Sequence, residues 1–558
     1  METRPTTKTL RPRAGAPRTA RLESTTATAV PIDIGVLSEE MVDDFPAGFH
    51  WCTPHDDYRF LAGDMPRALH AVALALSGDG TSDAVVASKL FDLTEELNRI
   101  GRLAVDACAF RRAGLEPGYR PERYPLFHHL WHERTEPPPA DAAYWRVARP
   151  RGTVARARIG AFHVRRRLLA ACVAPSRRFD GFMLNPLLQE FAAAHGRRIL
   201  DLRAHQFGWR ERPDLPRGLR NARDAFRETF DALLQANLDG PPGIARAALA
   251  LGARAVADHL AQGWGYLDHL VRRRPLGRLG EVMICGTPKF YGRLLGYHYK
   301  TLGRQVWRFA HGGDRAFFDD PNFGLAEFPF CDRYHCHSAG EANNLRRRLA
   351  EGRTLAVAAD GIAFVPCGSA RHRTIREQSR PRAARAGAAK RVMYVAGAYV
   401  GERFIKPPNE RCSDPQYLDW QVWLLKRLKS MGCEVVVKVH PRGVSGTKAF
   451  LEPYCDASES GFFDPTGHDV DAYIFDFAGS AYFEALLSRA GVVYCDMGLR
   501  PIDPAARADL AARCAIVPCH LDDRGRFRTD DDSLRGAIAA AADFDPDSCN
   551  FYDQYLNP

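Results

Sequence analysis

Between Cys433 and Gly498 short apolar runs alternate with one amphipathic stretch, and this rhythm limits the fold more than any other feature. Cys433-Glu-Val-Val-Val-Lys-Val runs into His440-Pro441-Arg442, and Ala472-Tyr-Ile-Phe-Asp-Phe runs into Ala478-Gly479-Ser480. A helix over 481–490 follows, Gly491 breaks it, and Val492-Val-Tyr-Cys-Asp496 reads as a third strand. Apolar runs of this length ending at Gly, Pro or Ser are the mark of buried parallel strands. Strands that alternate with helices of about ten residues form βαβ units. In such sheets ligands gather at the carboxyl ends of the strands. His440, Asp476, Ser480 and Asp496 all fall at those ends.

The same rhythm begins at Phe179. Strands are predicted over 179–184, 198–203, 281–285, 305–310, 332–337 and 362–366, with helices over 187–194, 222–236, 244–273, 290–302 and 340–350. After an Arg- and Ala-rich stretch, strands are predicted over 391–396 and 515–518 and helices over 417–431 and 532–542, around the opening region. The expected fold is α/β, with two Rossmann-like doubly wound domains and a helical N-terminal elaboration. The expected boundaries are a disordered basic tail at 1–30, a first domain with helical insertions at 31–366 and a linker at 367–390. A second domain follows at 391–546. The aromatic tail at 547–558 is expected to pack back on the first domain.

The elaboration contains one predicted long helix, from Ser82 as N-cap to Gly114, with apolar residues at helical spacing. His128 and His132 lie four apart and share a helical face, but no His-Glu-x-x-His pattern or third ligand accompanies them, so their role reads as structural. Cys331, His335, Cys336 and His337 lie on or beside one predicted strand. Alternation puts Cys336 on the face opposite the other three, and no paired Cys-x-x-Cys set is present, so no metal is expected.

Bulk properties narrow the class. A net charge of +10 suits nucleotides or an anionic membrane face, and equally an Arg-rich composition with no partner. Fourteen Cys scattered through 558 residues form no dense framework and read as reduced thiols of a cytoplasmic protein. No apolar run reaches the ~18 residues of a spanning helix, and the first 30 residues lack the apolar core of a secretory signal. No RRM, KH, helix-turn-helix or zinc pattern supports a nucleic-acid partner.

Two sets of motifs then stand in order: His311-Gly312-Gly313, Cys331-Asp-Arg-Tyr-His-Cys-His-Ser and Phe364-Val-Pro-Cys-Gly368-Ser in the first half, and Lys438-Val-His-Pro-Arg442 and Phe475-Asp-Phe-Ala-Gly-Ser-Ala-Tyr-Phe-Glu484 in the second. Over about residues 280 to 500 the chain resembles the GT-B transferases of bacterial surface polysaccharide synthesis. These include CDP-glycerol glycerophosphotransferases, capsule Kdo transferases and bacterial sialyltransferases. The resemblance implies two domains facing a cleft, with a His-Pro pair and a Ser-containing helix start holding the donor's phosphate. It implies a nucleotide-activated sugar or CDP-glycerol as donor, a glycan or lipid-linked acceptor and no required cofactor. Two departures stand out: Gly479-Ser480 replaces a Ser/Thr pair, and Asp314 follows the Gly pair.

Residue by residue, Ser480 opens a helix whose first-turn N–H groups suit a phosphate, and Gly479 lets the backbone come close; a plain helix cap is the alternative. His440 is placed to donate to that phosphate as the bond to the sugar breaks, aimed by Pro441, with Arg442 adding charge. His311, left unshielded by Gly312 and Gly313, is a candidate base for an acceptor hydroxyl, with Asp314 as its rival and a turn cap as the alternative. Glu484 is a candidate for holding a ribose or sugar hydroxyl, or an ordinary exposed helix acid. Asp476 either orients His440 or ends its strand. The reading is a glycosyl- or glycerophosphotransferase resting on the inner membrane face through its basic surface. A 2-epimerase-like isomerase and a non-catalytic binding protein of the same fold are the alternatives.

Overall fold

The computed structural model describes residues 30–37, 51, 53, 55–76, 80–138, 178–202, 209–273, 281–286, 288–379, 390–399, 401–404, 412–440, 450–545 and 551–556, with single positions between 157 and 172. Of the tail expected at 1–30, positions 1–29 lie outside these residues, and Val30 is in a short strand paired with Pro117.

Two parallel six-stranded sheets organise the chain. The first holds β1 (Arg178–Phe182), β2 (Arg198–Asp201), β3 (Val282–Cys285), β4 (Val306–Phe309), β5 (Arg333–Cys336) and β6 (Ala363–Pro366) in the order β2-β1-β3-β4-β5-β6. The second holds β7 (Arg391–Val395), β8 (Glu434–Lys438), β9 (Ala457–Glu459), β10 (Ala472–Phe475), β11 (Gly491–Asp496) and β12 (Ala515–Pro518) in the order β9-β8-β7-β10-β11-β12. That second order is the Rossmann order, in which the chain winds one way from its first strand and then returns to the other side. The reversal falls between β7 and β10. Residues 282 and 437 belong to different sheets.

Period-2 alternation divides each strand between two cores. On one face of the second sheet Val392, Tyr394, Val435, Val437 and Ile474 pack with the helix Asp414–Ser430 and with Ile34. On the other, Met393, Val436, Tyr473 and Phe475 pack with the helix Ser480–Leu487. The predicted long helix is Gly80–Ala113, and Ser82 lies inside it rather than capping it. It is buried around most of its circumference because the helices Arg217–Asn237 and Pro242–Arg273 pack on it over the first sheet.

The stretch expected to be a linker contains the helix Ala370–Gln378, capped by Ser369, whose side chain accepts from the His372 amide. Its Ile375 is buried in the core of the second sheet, so a single apolar residue anchors a helix that showed no apolar rhythm. The tail forms a short helix, Phe551–Tyr555. Tyr555 accepts from Asn344 Nδ2 at 3.3 Å, and its ring lies tilted against Phe317 with centroids 4.6 Å apart.

His128 Nδ1 meets the Tyr119 hydroxyl at 2.9 Å, and the rings of His128 and His132 lie 4.4 Å apart. Cys331, His335, Cys336 and His337 are all buried, with His337 Nδ1 at 3.0 Å from Glu341. Among the described residues no group of three or more His, Cys, Asp or Glu is disposed to hold a metal ion. No described helix is long and apolar enough to cross a membrane.

Candidate functional site

Loops at the carboxyl ends of the two sheets meet each other, as a two-domain GT-B-like fold requires. The chain leaves β4 through His311-Gly312-Gly313-Asp314 and immediately meets the helix that follows β10. A Cβ on Gly312 would lie 2.8 Å from Ser480 Oγ and 2.9 Å from Asp314 Oδ1. Gly312 also has φ +88, a conformation that favours glycine. A Cβ on Gly313 would lie 2.3 Å from the ring of Phe483. Both glycines are therefore required by close approach, and the expected gap between His311's loop and Ser480 is closed at this point.

Further along, Ala316, Phe317 and Phe318 are buried in the core of the second sheet. Phe318 pairs with Ile502 in an isolated antiparallel bridge. Asp319 N donates to Pro501 O at 2.8 Å, and Asp503 N donates to Phe317 O at 2.7 Å. Arg347 donates to the buried Asp503 carboxylate at 2.7 Å.

Ser480 is exposed and opens the helix, with Gly479 at the N-cap in extended geometry and no side-chain hydrogen bond closing the first turn. His311 and His440 are exposed. His440 follows β8 and Ser480 follows β10, with β7 between them, so the strand axes that carry them stand about 10 Å apart. Pro441 and Arg442 lie outside the described residues.

The carboxylates are less available than their positions in sequence implied. Asp314 is buried, 2.7 Å from Arg500 Nη1 and 3.1 Å from Arg315 Nη1. Burial opposes its ionisation, but the guanidiniums of Arg315 and Arg500 outweigh that and hold its carboxyl below the usual value. It is a poor proton acceptor. Glu484 is gripped by Arg371, with Nε to Oε1 at 2.6 Å and Nη2 to Oε2 at 2.9 Å, so both its oxygens are engaged. Asp476 is buried and accepts from Tyr394, from the Tyr417 hydroxyl at 2.7 Å and from Trp420 Nε1 at 2.8 Å. Burial raises its carboxyl despite those donors. It fixes the end of β10 against the helix that follows β7. Lys438 donates to Gly461 O at 2.7 Å, and burial lowers its ammonium. Asp496 Oδ1 accepts from Gly498 N at 3.0 Å.

The structure thus brings together His311's loop, Ser480 and Asp314, and gives Asp314 and Glu484 to arginines. Arg500 was missed although it follows β11, and the carboxyl-end rule applied to that strand points to it. Arg371 had no such signal.

No family model and no curated protein matches the chain. Among solved structures, one described as the glycotransferase of kitacinnamycin is 13% identical, covers 66% of this chain and 90% of its own, and superposes with a TM-score of 0.31. At that score the two share too little backbone for one to inform the chemistry of the other.

Proposed function

We propose that this chain is a GT-B-type transferase that moves a glycosyl or glycerophosphoryl group from a nucleotide-activated donor to a surface-polysaccharide, glycan or lipid-linked acceptor. The observation that carries the reading is the seating of Gly312 on Ser480, which sets an exposed histidine loop of one Rossmann-like sheet against an uncapped helix start at the carboxyl edge of the other.

In this reading the first-turn N–H groups at Ser480 hold the donor phosphate, and His440 donates to that phosphate as it leaves. His311 takes the acceptor proton, because Asp314 is held ionised by two arginines. The helix start and the histidine's hydrogen bond meet the phosphate in this reading without a required metal. An isomerase working on the sugar ring needs carboxylates free to reach it, and Asp314, Asp476 and Glu484 are all engaged. The acceptor side and peripheral contact with an anionic membrane rest on the resemblance and on the charge of +10.

The test is a thermal-shift panel of CMP, CDP, UDP and GDP, followed by a transfer assay with the matching donor. A nucleotide present at 100 times its dissociation constant stabilises by about 2.7 kcal/mol. Absence of any shift with all four rejects the reading.

A further inference from the structure

Phe477 is 37% exposed, in a place where exposure is built rather than incidental. It stands two residues past β10, at the reversal of strand order between β7 and β10. Its neighbours are clamped on both sides. Asp476 is held by Tyr394, Tyr417 and Trp420, and the carbonyl of the buried Ala478 accepts from Arg500. The backbone is therefore held on both sides of Phe477, and the ring stays outside the core to which Phe475, two residues earlier, belongs. The ring lies beside the helix start: a Cβ on Gly479 would be 3.2 Å from its Cε1. Glycine at 479 leaves the ring room at the mouth of the first turn. Of the other large exposed apolar side chains, Leu74 and Val271 lie on helices, Leu302 caps a helix end and Phe462 lies in the loop after β9, none of them beside a helix start that follows a strand.

We propose that Phe477 is the face on which the base of the bound nucleotide stacks. An aromatic ring fixed next to a phosphate-binding helix start offers the two features that a nucleotide carries together, an anion and a flat π-face. Stacking is tolerant of base identity, so Phe477 supplies affinity, and the choice among bases falls to polar groups around it. The proposal rests on the functional reading above, since it needs a nucleotide at Ser480.

The experiment is isothermal titration of the full chain and its Phe477→Ala and Phe477→Tyr variants with CMP, UDP, GDP and inorganic pyrophosphate. Because Phe477 packs in no core cluster, both variants are expected to keep the wild-type melting temperature. The expected result is a loss of about 5- to 150-fold in nucleotide affinity for the Ala variant, from stacking worth about 1–3 kcal/mol. The Tyr variant stays near wild type, and pyrophosphate affinity is unchanged in all three. Equal nucleotide affinity in wild type and the Ala variant overturns the stacking role alone. A parallel loss for nucleotide and pyrophosphate also overturns it, because the ring then acts on the helix start and not on a base. Failure of wild type to bind any of the three nucleotides overturns the functional reading together with the stacking role.

Discussion

Arg500 and Asp314 form a buried ion pair at 2.7 Å that joins the loop after β11 to the loop after β4. It ties the two sheets together at the point where their carboxyl edges meet, because Arg500 Nη1 also donates to Ala478 O, just before the helix start at Ser480. Breaking one partner of a buried pair leaves the other charge stranded at a cost of about 3–5 kcal/mol. Arg315 stays 3.1 Å from Asp314, so Arg500→Met is expected near the lower end of that range. Urea unfolding at pH 7 measures it. The folded value of Asp314 is depressed, so its contribution is full above its unfolded value and is lost as pH falls through the lower folded one. Acid unfolding of Asp314→Asn is expected to lack that component.

Gly313 is held to its identity by Phe483, whose ring would meet a Cβ at 2.3 Å and is itself buried. Gly313→Ala is expected to cost about 1–3 kcal/mol through overpacking. The loop carrying His311 would be displaced from Ser480. Thermal melts read the first effect and turnover of the donor reads the second; an unchanged melting temperature would contradict the close contact.

His335 is enclosed by Phe191, Trp307 and Phe309, with ring centroids 4.5–5.4 Å away. Burial, with a smaller push from Arg333, lowers its imidazole to about 4. A neutral buried histidine stabilises fully above its unfolded value of about 6.5, and that stability is lost as pH falls toward the folded value. Between pH 7 and pH 5.5 the loss from this residue is about 1 kcal/mol. Urea midpoints at the two pH values are expected to show a smaller drop in His335→Leu than in wild type.

Strands were legible where β-branched and aromatic residues ran unbroken. Ala515–Pro518 was read to the residue, because Pro518 marks the end of a short apolar run. The helix Ala370–Gln378 was not legible, since its order comes from Ser369, Ile375 and Glu190, the last reaching from another helix to accept from the Ala370 amide at 2.8 Å. The carboxyl-end rule placed His311, His440 and Ser480 just past the ends of their strands, where the structure has them, because it depends only on where strands stop. It did not reveal that Asp314 and Glu484 are neutralised. Arg315 adjoins Asp314 in sequence, but Arg500 reaches it only through tertiary packing, and Arg371 lies 113 residues from Glu484 in sequence. No spacing pattern reports an ion pair of that kind.

The two exposed histidines are expected to separate kinetically. His440→Ala is expected to lower kcat and kcat/KM together, because a proton donated only as the phosphate leaves acts in the transition state. His311→Ala is expected to abolish transfer while nucleotide affinity stays unchanged. Ser480→Ala is expected mainly to raise the donor KM. Steady-state kinetics with titration of the free nucleotide distinguishes the three, and full transfer activity in both histidine variants would remove them from the mechanism.

The two sheets are expected to unfold as one unit. Two Rossmann-like domains joined only by a linker would each keep a private core and melt separately. Here Ala316, Phe317 and Phe318, which leave the first sheet after β4, are buried among Tyr482, Phe483 and Tyr494 of the second. Phe318 lies 5.7 Å from Tyr494 and Phe317 lies 5.7 Å from Phe551, ring to ring. The N-terminal segment reaches the same half: Ile34 is in its other core, and Glu402 accepts from the Leu126 and Phe127 amides at 2.9 Å. Losing either half exposes apolar surface of the other, and that sharing makes a transition cooperative. Calorimetry is expected to give a single transition, and Phe317→Ala is expected to lower it as a whole, by about 3–5 kcal/mol for a buried aromatic. Two resolved transitions in wild type, or a loss confined to one of them in the variant, would show instead that the sheets are independent and that His311 is free to move away from Ser480.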